Sequence, residues 1–579
     1  MSFLGVDQSL TGRRWLGPAV EVERQAEVLV QASGLPRALC QALARRGVAA
    51  DEVAGFLEPQ LRELLPDPLV LKDMGAAAGR FLAAVKRRER IAVFADYDVD
   101  GGSSAALLVV WLREVGVAAT LYVPDRIDEG YGPNEAAMAE LAGAHDLIIC
   151  VDCGTLSHGP VAAAKGADVI VLDHHLGGET LPAALAVVNP NRQDESGDLA
   201  HLCAAGVVFL MLVEANRQMR EAGATGPDLM GLLDLVALAT VADVAPLIGV
   251  NRAFVRQGLK VMARRERPGI VALADVGRID TRPSSYHLGF VLGPRVNAGG
   301  RIGQADLGAR LLACDNVHEA RAMAERLDQL NSERREIEAS VRAAALAQAE
   351  TRDLAAPLVW AAGVGWHPGV VGIVAARLKE ATNRPAVVIG LEGDEGKGSG
   401  RSVSGIDLGA AIARLVAEGL LIKGGGHKMA AGLTVAQDKL EVAMARLGEL
   451  LARQGAGDIG PADLRLDGML MPGAATVELI DQIELAGPFG SGAPAPRFAF
   501  CDVVIRFAKR VGDSHLKISF SDGTGPSIDA IAFGAFDGPL GTALLEHGGK
   551  RFHLAGRLDI NEWNGRKSAQ LRLEDAALA

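Results

Sequence analysis

The sequence predicts an α/β protein with two α/β domains joined by a long helix and followed by a small all-β barrel. Three observations predict it. Between residues 71 and 175 short apolar runs alternate with helical patterns, as in a parallel sheet covered by helices on both faces. Residues 314–352 are one long charged stretch rich in Ala, Glu and Arg. From about residue 495 the pattern becomes short alternating runs, which read as strands. A chain of 579 residues has room for several domains, at roughly 100–200 residues each.

In chain order, ALCQALARRGV and EVAGFLEPQLRELL repeat apolar residues every three or four positions, and Pro66 and Pro68 close a helical N-terminal region at about residue 70. A helix ending in KRRER leads into the strand IAVFAD. The segments SSAALLVVWLREVG (helix), ATLYVP (strand), AAMAELAGA (helix), DLIICVD (strand), GPVAAAKGA (helix) and DVIVLDHH (strand) follow. The first α/β domain is expected over 71–313 and the connecting helix over 314–352. A second α/β domain over 353–455 has the strands APLVWAAG and RPAVVIGLEG around the helix GVVGIVAARLKEAT, then the glycine-rich GKGSGRS and KGGGHKMAAG. Residues 456–579 hold a linker, best placed at GPFGSGAPAPRF, and five strands ending in a hairpin at Trp563-Asn564-Gly565. Several short strands in so few residues suggest an OB-type barrel.

Composition narrows the function. Hydrophobic residues are 49% and charged residues 22%, which excludes global disorder and collagen-like repeats. The longest apolar run, Leu202–Val213, is too short to span a bilayer, which takes about 20 residues. No secretory signal is visible in MSFLGVDQSLTGRRW, so a cytoplasmic protein is expected. Its six scattered cysteines read as reduced thiols, not a disulfide framework. Cys150 and Cys153 are read as packing residues that alternation turns away from Asp152. The net charge of −12 rules out bulk attraction to nucleic acid. A polyanion must be held by local cations or metal ions. Residues 495–579 carry 11 basic and 10 acidic side chains, so this module is free to meet one.

The sharpest chemical signal is Asp96-Tyr97-Asp98-Val99-Asp100-Gly101-Gly102, directly after a buried strand. In an extended chain three carboxylates two apart share one face. Their mutual repulsion is relieved by divalent cations. A calcium loop is the alternative, but Leu107 stands where its bidentate Glu belongs. Asp152, Asp173-His174-His175 and Asp243 end further apolar runs, at the sheet edge where ligands bind in such folds. Mixed Asp/His sites suit Mn²⁺ or Mg²⁺. Arg126, Arg295, Arg301 and Arg401 lie in loop or glycine-rich contexts, the last beside Ser399. Glycine admits backbone N–H groups to an anion and guanidinium forks bind it, so these residues read as a phosphate pocket. No P-loop, HExxH or GxSxG motif occurs.

The order of FLEPQLRELLPDP, VFADYDVDG, RIDEGYGPN, VDCG, DHH, LATVADVAPL, GPRVNAGGRIG, WHPGVVGIVAARL, GSGRS, GGGHKMAAG and PFGSGAPAPRF resembles the DHH phosphoesterase superfamily, and within it the single-strand-specific 5′→3′ DNA exonucleases. The resemblance implies DHH and DHHA1 domains, then an OB-fold. It implies that Asp98, Asp100, Asp152, His174 and Asp243 hold two Mn²⁺ or Mg²⁺ ions, with Asp96 a further candidate and Asp152 bridging. His175 would contact the scissile phosphate, Asp173 would orient the histidines, and the arginine pocket would take the 5′-terminal phosphate. His427 and Lys428 would face the cleft. Arg506, Lys509, Arg510, Lys517 and Trp563 of the barrel would grip the downstream strand. The implied activity is release of 5′-mononucleotides in recombination and repair, by a monomer working with single-strand-binding protein and a RecQ-type helicase. Thr155 departs from the family pattern, which often has a larger apolar residue there. Two rivals are weighed: a phosphodiesterase for short or cyclic nucleotides, and a DNA-binding scaffold without metals.

Overall fold

Strand β1 (Ile91–Ala95), reached through helix α1 (Met74–Arg87), is buried along its whole length. An apolar run with no alternation is what a strand covered on both faces requires. Helix α2 (Val99–Glu114), β2 (Ala119–Tyr122), α3 (Glu135–Ala144), β3 (Leu147–Val151), β4 (Asp168–Leu172) and β5 (Ala186–Val188) complete the first sheet. Its order is β2-β1-β3-β4-β5, parallel throughout. GPVAAAKGA shortens to a helix over His158–Ala163. The chain runs from β1 outward to β2, then returns to the other side of β1 as β3. A ligand crevice forms at such a reversal, at the carboxyl ends of the strands. One sheet face packs Phe94, Ile148, Cys150 and Val171 against Met138 and Leu141 of α3. Helices α4 (Ala204–Glu221) and α5 (Leu233–Ala242) join α2 in the buried core.

The computed structural model describes every residue except 1, 126–128, 131, 355, 459–462, 524 and 564. Helix α6 (Gly293–Ile302) follows a turn of wide helix at Leu288–Leu292, and α7 (Val317–Arg352) is the single long helix anticipated from its composition. The second sheet is built from β6 (Val359–Val364), β7 (Ala386–Glu392), β8 (Glu395–Arg401), β9 (Lys423–His427) and β10 (Ala430–Ala436), in the order β9-β10-β8-β7-β6. Helix α8 (Pro368–Thr382) connects β6 to β7, which are parallel. The other pairs are antiparallel.

The glycine-rich segments are thus strands. In β8 a Cβ on Gly398 would lie 2.8 Å from Ile389, and one on Gly400 2.7 Å from Leu408. Glycines fill the crowded face and leave Lys397, Ser399 and Arg401 on the other, a period of two written with Gly as the inward residue.

The chain divides into two units. The first α/β domain, α7 and the second α/β domain form one, Pro66–Ala245 with Gln257–Gly460. The other is Met1–Leu65, Pro246–Arg256 and Pro461–Ala579. In it β11 (Phe498–Val511), β12 (His515–Ser521), β13 (Ile528–Ala532), β14 (Arg551–Trp563) and β15 (Arg566–Leu578) close into a barrel, since β11 pairs with both β12 and β14. Phe498, Phe500, Phe520 and Phe552 fill its core. Trp563 pairs with Arg566, and Asn564 of the hairpin read from the sequence lies outside the described residues.

The N-terminal helices Val20–Ser33 and Arg37–Arg45 share this unit. Arg45 bonds Asp467 at 2.7 Å, and the buried Trp15 indole donates to Asp575 at 2.9 Å. GPFGSGAPAPRF, the best linker candidate in the sequence, lies inside this unit. Arg252 donates to the carbonyls of Ala486 and Gly487, and its guanidinium lies 3.6 Å over the Phe56 ring. Among the described residues no helix is long and apolar enough to cross a membrane.

Candidate metal centre and phosphate pocket

The turn after β1 is set by close packing. A Cβ on Gly101 would lie 2.4 Å from the carbonyl oxygen of Asp96, so only glycine lets α2 start against the strand end. Asp98 is the N-cap of α2, accepting from the N–H groups of Asp100 (2.8 Å) and Gly101 (3.1 Å). The N–H of Val99 is held by the Asn297 side chain of α6 at 3.0 Å.

The three carboxylates therefore do not share one extended face, as strict alternation suggested. The chain turns into a helix between them. Asp96 and Asp98 group with Asp152, while Asp100 groups with His174 and Asp243. Asp152 also groups with His174 and His175. Within each group one ligand atom per residue lies within 4.8 Å of the others.

His174 Nε2 marks the convergence. It lies 3.2 Å from Asp152, 3.7 Å from Asp100 and 3.8 Å from Asp243. Asp100 is buried, and both its oxygens accept from the first N–H groups of α4, those of Ala204 (2.6 Å) and Ala205 (2.8 Å). That helix end favours an anion. Burial first, then neighbouring carboxylates, raises the proton affinity of Asp152; in Asp243 the same causes push the pKa up to about 8. Burial also raises Asp100, with His174 opposing it. Carboxylates crowded in this way favour a divalent cation, which relieves their repulsion. The oxygen-rich set with one or two imidazoles fits a hard divalent ion such as Mn²⁺ or Mg²⁺.

Asp152 has φ 60°. On an uninterrupted strand Cys150 and Asp152 would face the same way; this left-handed residue, not alternation, sends the carboxylate to the cluster and leaves Cys150 in the apolar core. Cys153 is buried in that core too, and burial raises both thiols, Cys150 to about 12.

Asp173 holds the histidine loop. Its Oδ1 accepts from the N–H groups of His174 (2.7 Å) and His175 (3.1 Å) and bonds His175 Nδ1 at 2.8 Å. Burial lowers the basicity of the His175 ring, but the bond and charge of Asp173 outweigh it and raise its pKa to about 9. Three residues with no functional reading in the sequence complete the support. Thr155 donates its hydroxyl to Asp173 at 2.7 Å. Asn189 donates to Thr155 Oγ1 and the His175 carbonyl, and Asn191 to the His174 carbonyl. The only sequence signal was Asn189-Pro190-Asn191 just after β5, where Asx side chains bond nearby backbone.

The second sheet places Ser399 and Arg401 of the candidate anion pocket. Ser399 and Arg401 are bonded at 2.9 Å and face the first turns of α8, where a Cβ on Gly372 would lie 3.1 Å from each side chain. Arg301 donates to the Gly369 carbonyl at 3.1 Å, and His367, passed over in the sequence, caps α8 through the Gly369 N–H. Arg295 is not brought here. It bonds Asp328 at 2.9 Å and the Val291 carbonyl, tying α6 to α7. Arg126 lies outside the described residues. His427 is in register with Ala430 and Ala430 with Arg401, so all three share a face. Gly432, the partner of Ser399, leaves open backbone beside it. Lys428, exposed, lies in the turn that follows the edge strand β9.

On the barrel, Lys509, Lys517, Ile531, Arg572 and Arg557 are successive cross-strand partners. Phe507 and Phe533, 50% and 57% exposed, flank this row. Arg506 bonds Ser521 at a bulge, and Arg510 lies opposite the buried Leu516, on the other parity of β11. The Trp563 side chain lies outside the described ones.

Family models match in three places: the N-terminal domain of the DHH family over residues 90–240, the DHHA1 domain over 355–453, and the RecJ OB domain over 466–575. Fold and site thus define a phosphoesterase of the DHH class. Single-stranded-DNA-specific exonuclease RecJ of Escherichia coli (strain K12) is 38% identical over 96% of this chain and 98% of its own length. The protein of the same name from Bacillus subtilis (strain 168) is 33% identical over 89% of this chain and 64% of its own. Crystalline RecJ from Thermus thermophilus in complex with Mn²⁺ is similar with a TM-score of 0.80 at 29% identity, covering 97% of this chain and 79% of that one. The same protein in complex with Mg²⁺ gives 0.73 at 27% identity, covering 98% and 78%. The chain belongs to the RecJ family.

Proposed function

We propose that this protein is a metal-dependent exonuclease that degrades single-stranded DNA from the 5′ end and releases 5′-mononucleotides, in recombination and repair. One observation carries the reading: His174 Nε2 and the carboxylates of Asp100, Asp152 and Asp243 converge within 4 Å at the carboxyl ends of the first sheet. Asp96, Asp98, Asp100, Asp152, His174 and Asp243 would hold two cations, with Asp152 grouped both with Asp96 and Asp98 and with His174, which in turn groups with Asp100 and Asp243. Two bound divalent ions supply charge neutralisation at the phosphate and activation of water.

The chain's own residues do the rest. His175, held by Asp173, is a hydrogen-bond donor for the scissile phosphate. Arg301, Ser399, Arg401 and the first turn of α8 take the 5′-terminal phosphate, and His427 and Lys428 border the strand's path. Anchoring one end and cutting at the next phosphodiester sets the polarity. The barrel row of Lys509, Lys517 and Arg572 meets downstream phosphates, with Phe507 and Phe533 as stacking faces. Single-strand-binding protein and a RecQ-type helicase are the partners proposed for a monomeric enzyme.

The test is product analysis on end-labelled single- and double-stranded DNA with Mn²⁺. Labelled mononucleotide should appear first from the 5′ end of single strands only. Asp152→Ala should abolish release while strand binding stays measurable. Undiminished turnover in that variant, or an inert wild type with either metal, would falsify the reading.

A further inference from the structure

Thr155 departs from the family pattern, yet its surroundings are those of a hydrogen-bonding hub. It is 1% exposed, in contact with two groups as buried as itself: Asp173 (1%) and Asn189 (0%). Its N–H donates to Asp173 Oδ2 at 3.0 Å and its hydroxyl donates to the same oxygen at 2.7 Å. The hydroxyl oxygen accepts from Asn189 at 2.8 Å. The second hydrogen of that amide goes to the His175 carbonyl at 2.7 Å. The other oxygen of Asp173 serves the His174 N–H, the His175 N–H and the His175 ring.

A closed circuit results. Thr155 touches neither histidine, but it holds both groups that do, one through the side chain of His175 and one through its main chain. An apolar residue here would leave the Asn189 donor facing it without an acceptor and take one donor from Asp173. Buried networks of this kind lose more than one bond when a member is removed.

We propose that Thr155, acting through Asp173 and Asn189, is a positioning residue that fixes the His174-His175 loop in its working geometry. The inference rests on the roles proposed above for the two histidines. It assigns to a hydroxyl of this chain a task that packing alone does not perform.

The pair Thr155→Val and Thr155→Ser separates hydroxyl from shape. Thr155→Val keeps the volume and removes the bonds. It should lower kcat for nucleotide release by about 10–100-fold, the usual consequence of losing a group that orients a ligand, with KM for single strands close to wild type; the thermal midpoint should fall as well, because a buried donor is left without its acceptor. Thr155→Ser restores the hydroxyl and should recover most of the rate.

A second measurement needs no metal. Amide hydrogen exchange in the metal-free protein should quicken by about tenfold across residues 172–178 in Thr155→Val, and not in Thr155→Ser. Wild-type kcat and exchange in Thr155→Val overturn the proposal. So does equal damage in both variants, which would make Thr155 a packing residue. His174→Ala and His175→Ala are run alongside: if they stay active, the reading of the site fails; if they are dead while Thr155→Val is unimpaired, only the present inference fails.

Discussion

Asp243 shows how the cluster ties its charge to pH. The residue ends α5, half-buried, and desolvation together with the charges of Asp100 and Asp98 lifts its pKa from 3.8 to about 8. At neutral pH the metal-free group keeps its proton, so cation binding has to displace it. Binding of Mg²⁺ at pH 7 should therefore release protons, and affinity should rise as pH approaches 8. Titration calorimetry in buffers of different ionisation enthalpy reads the proton count directly; heats that do not change with buffer speak against it. The stability sign follows from the same shift. A group whose pKa is raised on folding contributes stability that is fully present below the unfolded value, near 3.8, and is lost as pH climbs through about 8. In chelator, wild type should lose midpoint relative to Asp243→Asn between pH 6 and pH 9. Saturating Mg²⁺ should favour wild type at the higher pH.

At the level of elements, strand and helix meet at the pocket proposed for the 5′-phosphate. β8 alternates glycine with Lys397, Ser399 and Arg401, and α8 packs Gly372, near its start, against the last two. A helix start and a guanidinium together are selective for a phosphate that carries an extra charge. Arg401→Ala should weaken the preference for 5′-phosphorylated over 5′-hydroxyl ends by roughly tenfold or more, the worth of a charge-assisted bond. Competition between the two ends in one digestion measures it, and equal losses on both count against the pocket. The arginine was readable in GSGRS, but the strand was not, because its inward positions are glycines and no apolar alternation announces it. The DHH loop was readable because each of its ligand types sits directly after an apolar run. Arg295 was misread for the opposite reason: a loop-like neighbourhood in sequence is here a helix, and its guanidinium is taken by Asp328 of α7, 33 residues away. Asn189, Asn191 and Thr155 act through bonds to main chain and to one another, which local patterns do not encode.

For the molecule as a whole the net charge of −12 sets a constraint that the parts have to answer. An acidic protein repels a strand of phosphates at long range, so its grip has to come from cations gathered at short range. The barrel gathers them by register. Lys509 and Lys517 lie on paired strands and Arg572 follows in the same row beyond Ile531, although each was set in place by a different part of the sequence. They are not equivalent. Lys517 is bound to Asp529 at 2.9 Å and Arg572 lies 5.2 Å over the Phe533 ring, while Lys509 is exposed. Replacing Lys509 and Arg572 by alanine should therefore cost more affinity than replacing Lys517, whose partner already screens it. If each cation meets one phosphate, the slope of log affinity against log salt should flatten by roughly 0.7 per residue removed on single strands. Anisotropy with a long labelled single strand in chelator, over a range of salt, separates the lines at low salt and brings them together at high salt. Variants that run parallel to wild type across that range would show that the barrel holds the strand by stacking on Phe507 and Phe533 and not by charge.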